Sequence, residues 1–211
     1  MNNIAAPDTT LLALAAFAFV SSITPGPNNL MLMSSGIRFG LARTLPHLLG
    51  VSLGFVAMVV GVGAGLAQVF VAWPPAQTVL KVVSVTYLLY LAWKIATAVP
   101  TLNTVPDDVA NRSSGRPMSF IQAALFQWVN PKAWTMALTA VTVYTPSSGG
   151  AAALLHVAVV FGLVNLPSVG AWALLGVSMR RLLSAPQQLR RFNRIAALLL
   201  VASLYPVLVS G

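Results

Sequence analysis

The chain has 211 residues, 57% of them hydrophobic and only 7% charged. A soluble domain carries about 25% charged residues, so a water-soluble globule is excluded and lipid is the expected solvent. The formal charge of +9 comes from twelve Lys and Arg. They are dispersed among loops between apolar segments, which fits membrane orientation and not a phosphate-binding face, so no nucleic-acid partner is expected. There is no cysteine, which removes disulfides, thiolate metal sites and thiol redox chemistry.

Residues 1–10 carry no Lys or Arg and one Asp. A cleaved signal peptide needs a basic start, so the first apolar segment is expected to stay. Six apolar segments follow, at about 10–36, 42–71, 77–98, 119–143, 152–176 and 194–210. Each approaches the ~20 residues that cross a bilayer as a helix. The expected fold is therefore an all-α integral membrane protein of six transmembrane helices.

The first segment contains Thr24-Pro25-Gly26-Pro27-Asn28-Asn29, where an uninterrupted helix should not carry two prolines and a glycine. Proline lacks an amide hydrogen and clashes with the carbonyl four residues back. Pro25 and Pro27 are expected to free the carbonyls of Ser21 and Ile23. The fourth segment holds a matching break, Gln127-Trp128-Val129-Asn130-Pro131-Lys132, where Pro131 frees the carbonyl of Gln127. Thr24 and Asn130 are good N-cap types, with proline in the first helical position after them. A new helix N-terminus suits a carboxylate, and freed carbonyls suit an ammonium.

The connections sort by charge. Arg38 and Arg43 follow segment one. Lys94, Arg112 and Arg116 follow segment three. Five arginines between 180 and 194 follow segment five. The other two connections carry none, and Lys81, just inside segment three, can snorkel. By the positive-inside rule the basic loops are cytoplasmic and both termini lie outside. The region 99–118 reads as a cytoplasmic linker, and 178–194 as a basic interfacial helix. Three spans on each side of the linker make two inverted repeats, 1–98 and 119–211, each with a broken first helix. Paired breaks at corresponding positions point to a binding site near the midplane.

The expected substrate-binding set is Thr24, Pro25, Gly26, Pro27, Asn28, Asn29, Gln127, Asn130, Pro131 and Lys132. Lys132 is the sharpest member. A lysine within a span is costly, and a half-helix N-terminus beside it repels it further. Either a bound anion compensates it or the span is shifted and Lys132 snorkels. Asn165 is a weaker candidate, and Pro167 reads as a kink. Gly50, Gly54, Gly61, Gly63 and Gly65 read as close helix packing. His47 and His156 read as structural histidines, Trp128 and Trp134 as aromatic packing.

With Pro25-Gly26-Pro27-Asn28, Arg38-Phe39-Gly40 and Asn130-Pro131-Lys132-Ala133 in place, the chain resembles the LysE/RhtB family of amino-acid exporters over nearly its whole length. The resemblance implies a bacterial inner-membrane, multi-pass exporter of amino acids or derivatives, driven by the proton motive force. Many relatives have Asp after Pro-Gly-Pro, where this chain has Asn28. The only acids are Asp8, Asp107 and Asp108, all outside the expected spans, so a neutral amino acid is favoured over lysine or arginine. His47, His156 or the substrate's own amine remain as proton carriers. Alternating access is the expected mechanism.

Other classes lack their residues. Without glutamate there is no His-Glu-x-x-His metalloprotease helix. Paired membrane acids for an aspartyl protease, and buried carboxylates for a divalent metal, are also missing. No enzyme activity, metal or cofactor is expected. Export of another small metabolite, or a non-transport assembly subunit, stays as the alternative. Membrane lipid is an expected partner. Glycine-lined helices allow a homodimer without predicting one.

Overall fold

A computed structural model of the chain describes residues 7–98, 116–146, 149–182 and 185–205. All regular structure among these residues is helical. In chain order the helices are α1 (Pro7–Ile23), α2 (Pro27–Gly61), α3 (Gln68–Ala72), α4 (Pro75–Ala96), α5 (Phe120–Phe126), α6 (Pro131–Tyr144), α7 (Gly150–Leu182) and α8 (Pro186–Ala202). Three helical stretches are long and apolar enough to cross a membrane: Pro27–Leu66, Pro75–Ala96 and Gly150–Arg180. Thr10–Ile23 and Phe120–Val129 are shorter apolar helices, because a break divides each of the segments to which they belong. Most of the linker expected at 99–118 lies outside the described residues, as does the end of the last segment.

Both breaks form where proline requires them. Gly26 is fully extended and Pro27 opens α2. After α5 one 3-10 turn, Gln127–Val129, leads to extended Asn130, and Pro131 opens α6. α5 itself starts with a capping box: Gln122 N–H donates to Ser119 Oγ at 3.2 Å, and Ser119 N–H to Gln122 Oε1 at 3.0 Å.

Several boundaries differ from the sequence expectation. The expected loop between segments one and two shrinks to one residue, Gly40, at φ 75 and ψ 174. Only glycine adopts this conformation cheaply, so the chain turns there with helix on both sides. Segment two does not run evenly to 71. It loosens into a π-helical stretch at Val62–Leu66, ends at Gly65 (φ 109), and resumes as α3. Three glycines in five residues cannot hold a regular helix there. The expected interfacial stretch 178–194 is divided between the end of α7 and the start of α8. α7 continues through Pro167, so no third break forms.

α2 lies against α7 along much of its length, α4 against α8, α1 against α7, and α2 against α5. One core joins α1, the second half of α2, α6 and α7 around Phe55, Met58 and Phe161. Another joins the first half of α2, α4, α5 and α8 around Leu30, Leu88 and Leu200. The outward faces are apolar too: Leu12, Val71 and Leu163 are each more than 70% exposed. Water would not tolerate so much continuous apolar surface, whereas lipid does.

Glycines set the helix separations. A Cβ on Gly50 would lie 2.3 Å from the Phe120 carbonyl oxygen, and one on Gly54 would lie 2.5 Å from Ala124 Cα. Gly63 packs against the end of the Leu154 side chain, a softer contact than backbone, whereas Gly65 has nothing within 4 Å and serves backbone geometry alone. Close packing is therefore the role of Gly50, Gly54 and Gly63.

Candidate functional site

The two breaks meet. Asn28 and Gln127 exchange a pair of amide hydrogen bonds: Asn28 Nδ2 donates to Gln127 Oε1 at 2.8 Å, and Gln127 Nε2 to Asn28 Oδ1 at 3.2 Å. Gln127 also donates to the Ala123 carbonyl at 2.8 Å and is wholly buried. An aspartate at position 28 could not donate to the Gln127 carbonyl, so Asn28 and Gln127 fit each other as amides.

Lys132 makes the second link. Its Nζ donates to the Thr24 carbonyl at 2.6 Å, joining the start of α6 to the end of α1. Its stem lies over Gly26, where a Cβ would come within 2.8 Å of Lys132 Cδ. Lys132 is thus bound across the two breaks and does not snorkel away from them.

Three carbonyls at the first break, those of Ser22, Ile23 and Thr24, are taken by protein donors. Asn29 Nδ2 lies 2.8 Å from both the Ser22 and the Thr24 carbonyl. Trp172 Nε1 donates to the Ile23 carbonyl at 3.0 Å, answering the group that Pro27 leaves unpaired. The expectation that Thr24 caps the following helix is corrected. Its hydroxyl donates back to the Val20 carbonyl and completes α1, while Gly26 is the N-cap of α2. Gly26 has no side chain to cap with, so the first amides of α2 stay open. At the other break Asn130 caps as expected: its Oδ1 accepts from Lys132 N–H at 3.2 Å.

A narrow cleft, roughly 330 Å³ with the space open to solvent counted in, lies at this junction. Of the sequence-predicted set, Gly26, Pro27, Asn28, Asn29, Asn130 and Lys132 line it. Thr24, Pro25, Gln127 and Pro131 do not. They shape the breaks and hold the lining residues in place. Ser21, Ser22, Phe55, Ala133, Met136, Asn165 and Val169 complete the wall. Ser22 and Asn165 are joined at 3.0 Å through Asn165 Nδ2, and the side-chain oxygen Asn165 Oδ1 is buried without a partner. Asn165, the weaker candidate marked by its polar character in an apolar span, thus lies in the wall. Phe55, Met136 and Val169 give no such signal, since any apolar span residue looks alike in sequence. Trp128 and Trp134 pack on each other, ring centroids 6.0 Å apart, with Trp134 Nε1 donating to the Trp128 carbonyl. They stay outside the cleft.

Two helix N-termini and one ammonium therefore surround a small cleft with no acidic side chain among its described lining residues. The α2 N-terminus has no side-chain cap and offers unpaired amides, and both N-termini offer partial positive charge. Apolar helices enclosing a compact polar site of this kind define a membrane translocator of small molecules. The pattern of the LysE type translocators matches residues 19–203, and the chain belongs to that family. It is 31% identical over 197 residues to the cysteine/O-acetylserine efflux protein of Escherichia coli strain K12, covering 92% of this chain and 94% of the relative. The protein of the same name from Shigella sonnei strain Ss046 matches equally. That of Escherichia coli O139:H28 is 30% identical over the same length. No solved structure matches the chain.

Proposed function

We propose that this chain exports small neutral amino acids, or O-acylated derivatives of them, from the cytoplasm across the inner membrane. The observation that carries this reading is the bond from Lys132 Nζ to the Thr24 carbonyl at 2.6 Å. It is an ammonium on a freed helix carbonyl, beside the uncapped N-terminus of α2 and the Asn130-capped N-terminus of α6. A zwitterionic amino acid has the same ammonium and brings the carboxylate that the N-termini lack. On binding, its carboxylate draws Lys132 off Thr24, and its own ammonium takes the vacated carbonyl. The exchange replaces one charge-assisted hydrogen bond with another, so it costs little. A cationic side chain finds no carboxylate among the described residues of the cleft lining, so lysine and arginine are poor substrates. The names of the relatives, which refer to cysteine and O-acetylserine efflux, support a small neutral substrate.

The architecture in this reading is six spans in two inverted halves, 1–98 and 119–211, with the breaks at corresponding positions. Arg38, Lys94 and Arg116 converge at one end of the bundle, and Arg180 approaches Gly40. Such a basic end is the cytoplasmic one, which puts both termini outside. The Lys132–Thr24 tether closes the site, and releasing it lets the halves rock, driven by the proton motive force. His47 and His156 are not in the cleft lining, which leaves the substrate amine as the proton carrier at the site.

Efflux tests the substrate class. Cells expressing the chain and loaded with dipeptides should release cysteine, serine or O-acetylserine several-fold faster than empty-vector cells, and lysine no faster. Faster lysine release alone would overturn the neutral-substrate reading. Labelling tests alternating access. The chain has no cysteine, so Asn28→Cys gives a single thiol. Impermeant maleimide should reach it from each face in turn as substrate is supplied on one side or the other. A thiol that is never labelled from either side argues against a central site.

A further inference from the structure

A second pocket lies in the crook of the Gly40 turn, apart from the cleft just described. It holds about 540 Å³ of empty space. Gly40, at φ 75, folds the two halves of α2 so that Ser34, Ser35 and Arg38 face His47. The turn is fixed by a short chain of hydroxyls. Thr44 Oγ1 donates to the Gly40 carbonyl at 2.8 Å and lies 2.9 Å from Ser35 Oγ. Because the Thr44 proton is used on Gly40, Ser35 is the donor between them.

Charge enters the pocket from separate elements. Lys94 comes from the end of α4, and Arg116 from the segment leading into α5, with Arg38 on α2 between them. No Asp or Glu is among the described lining residues. His47 is only 2% exposed, yet neither Nδ1 nor Nε2 has a hydrogen-bond partner. A buried imidazole with an unused donor is costly, and polar groups left so are usually answered by a ligand or water. Basic side chains, hydroxyls and an imidazole donor in one concavity form the donor set of an oxyanion site.

We propose that this pocket binds a small oxyanion, a carboxylate or phosphate group, held by Lys94, Arg116 and the His47 imidazole. The oxyanion comes either from a dissolved metabolite or from the headgroup of an anionic lipid. The proposal does not depend on what the chain transports.

The full chain in nanodiscs of zwitterionic phosphatidylcholine tests it. Thermal unfolding is followed in sodium phosphate, sodium acetate and sodium chloride at matched ionic strength. Phosphate or acetate should raise the midpoint over chloride by about 3 °C once it exceeds its dissociation constant roughly tenfold. The double variant Lys94→Gln/Arg116→Gln changes two exposed positions, so it should keep the chloride midpoint and lose the rise. His47→Phe tests the imidazole independently and should weaken the rise. No rise in the native chain, or an equal rise in the double variant, overturns the site. Discs containing phosphatidylglycerol separate the two sources. If the lipid headgroup occupies the pocket, the native midpoint is already raised and phosphate adds nothing. If a dissolved anion occupies it, the phosphate rise persists.

Discussion

Lys132→Ala should lower efflux by roughly 10- to 150-fold with the protein still folded and at native abundance in the membrane. The magnitude follows from losing one charge-assisted hydrogen bond, about 1.5–3 kcal/mol. The fold should survive because the Thr24 carbonyl keeps Asn29 Nδ2 and the two breaks keep the Asn28–Gln127 pair. The variant also loses an ammonium held beside a helix N-terminus, whose repulsion costs stability, so its folding stability should change little. Transport should suffer, because the substrate carboxylate then meets only the two helix N-termini, and nothing trades places with its ammonium. Lys132→Met separates charge from packing. It keeps a stem over Gly26, so it should lose transport as fully as alanine does. If either variant transports at the native rate with equal abundance, the tether has no part in the cycle. If abundance falls in step with activity, Lys132 is a structural link only.

The parts of this site that could be read in the sequence are those with local causes. Proline disrupts a helix at its own position whatever surrounds it, so Pro27 and Pro131 mark both helix starts. Lys132 stands out because a charge in a span needs a reason. The sequence cannot show which distant donor answers a freed carbonyl. Trp172 reaches Ile23 across 149 positions, and nothing in its neighbourhood sets it apart from a lipid-facing tryptophan. Local capping preference misleads at Thr24, where the hydroxyl finishes the helix behind it and the capless Gly26 opens the next. At Gly40 a connection between segments one and two is expected, but its length is not legible: helical patterning continues on both sides, and one glycine is enough for the turn. A glycine within a span is as often a packing surface as a break. Gly65 makes the same point, since it stands beside packing glycines yet touches nothing.

The largest loss of folded protein is expected where α2 crosses α7. A Cβ on Gly36 would sit 2.3 Å from the Ala173 carbonyl oxygen, and one on Gly176 would sit 2.1 Å from the Met33 carbonyl oxygen. Each glycine faces the other helix's backbone, which has no rotamer to turn aside. Without hydrophobic drive between helices in lipid, such close contact is a main source of association. Either Gly36→Ala or Gly176→Ala should therefore cost about 3 kcal/mol or more, the upper end for overpacking, out of a typical 5–15 kcal/mol. The pair should be strongly non-additive. One outward shift of α7 relieves both clashes, so the double variant should cost well under the sum. Gly65→Ala is the contrast, because its φ of 109 has no crowding atom; the backbone alone sets its cost, about 1–2 kcal/mol. Denaturant unfolding in micelles gives all four values, and simple additivity would mean that the two glycines do not share one crossing. The same shift moves Trp172, four residues before Gly176, off the Ile23 carbonyl. Transport per folded molecule should then fall as well, because packing at the crossing holds one donor of the first break in place.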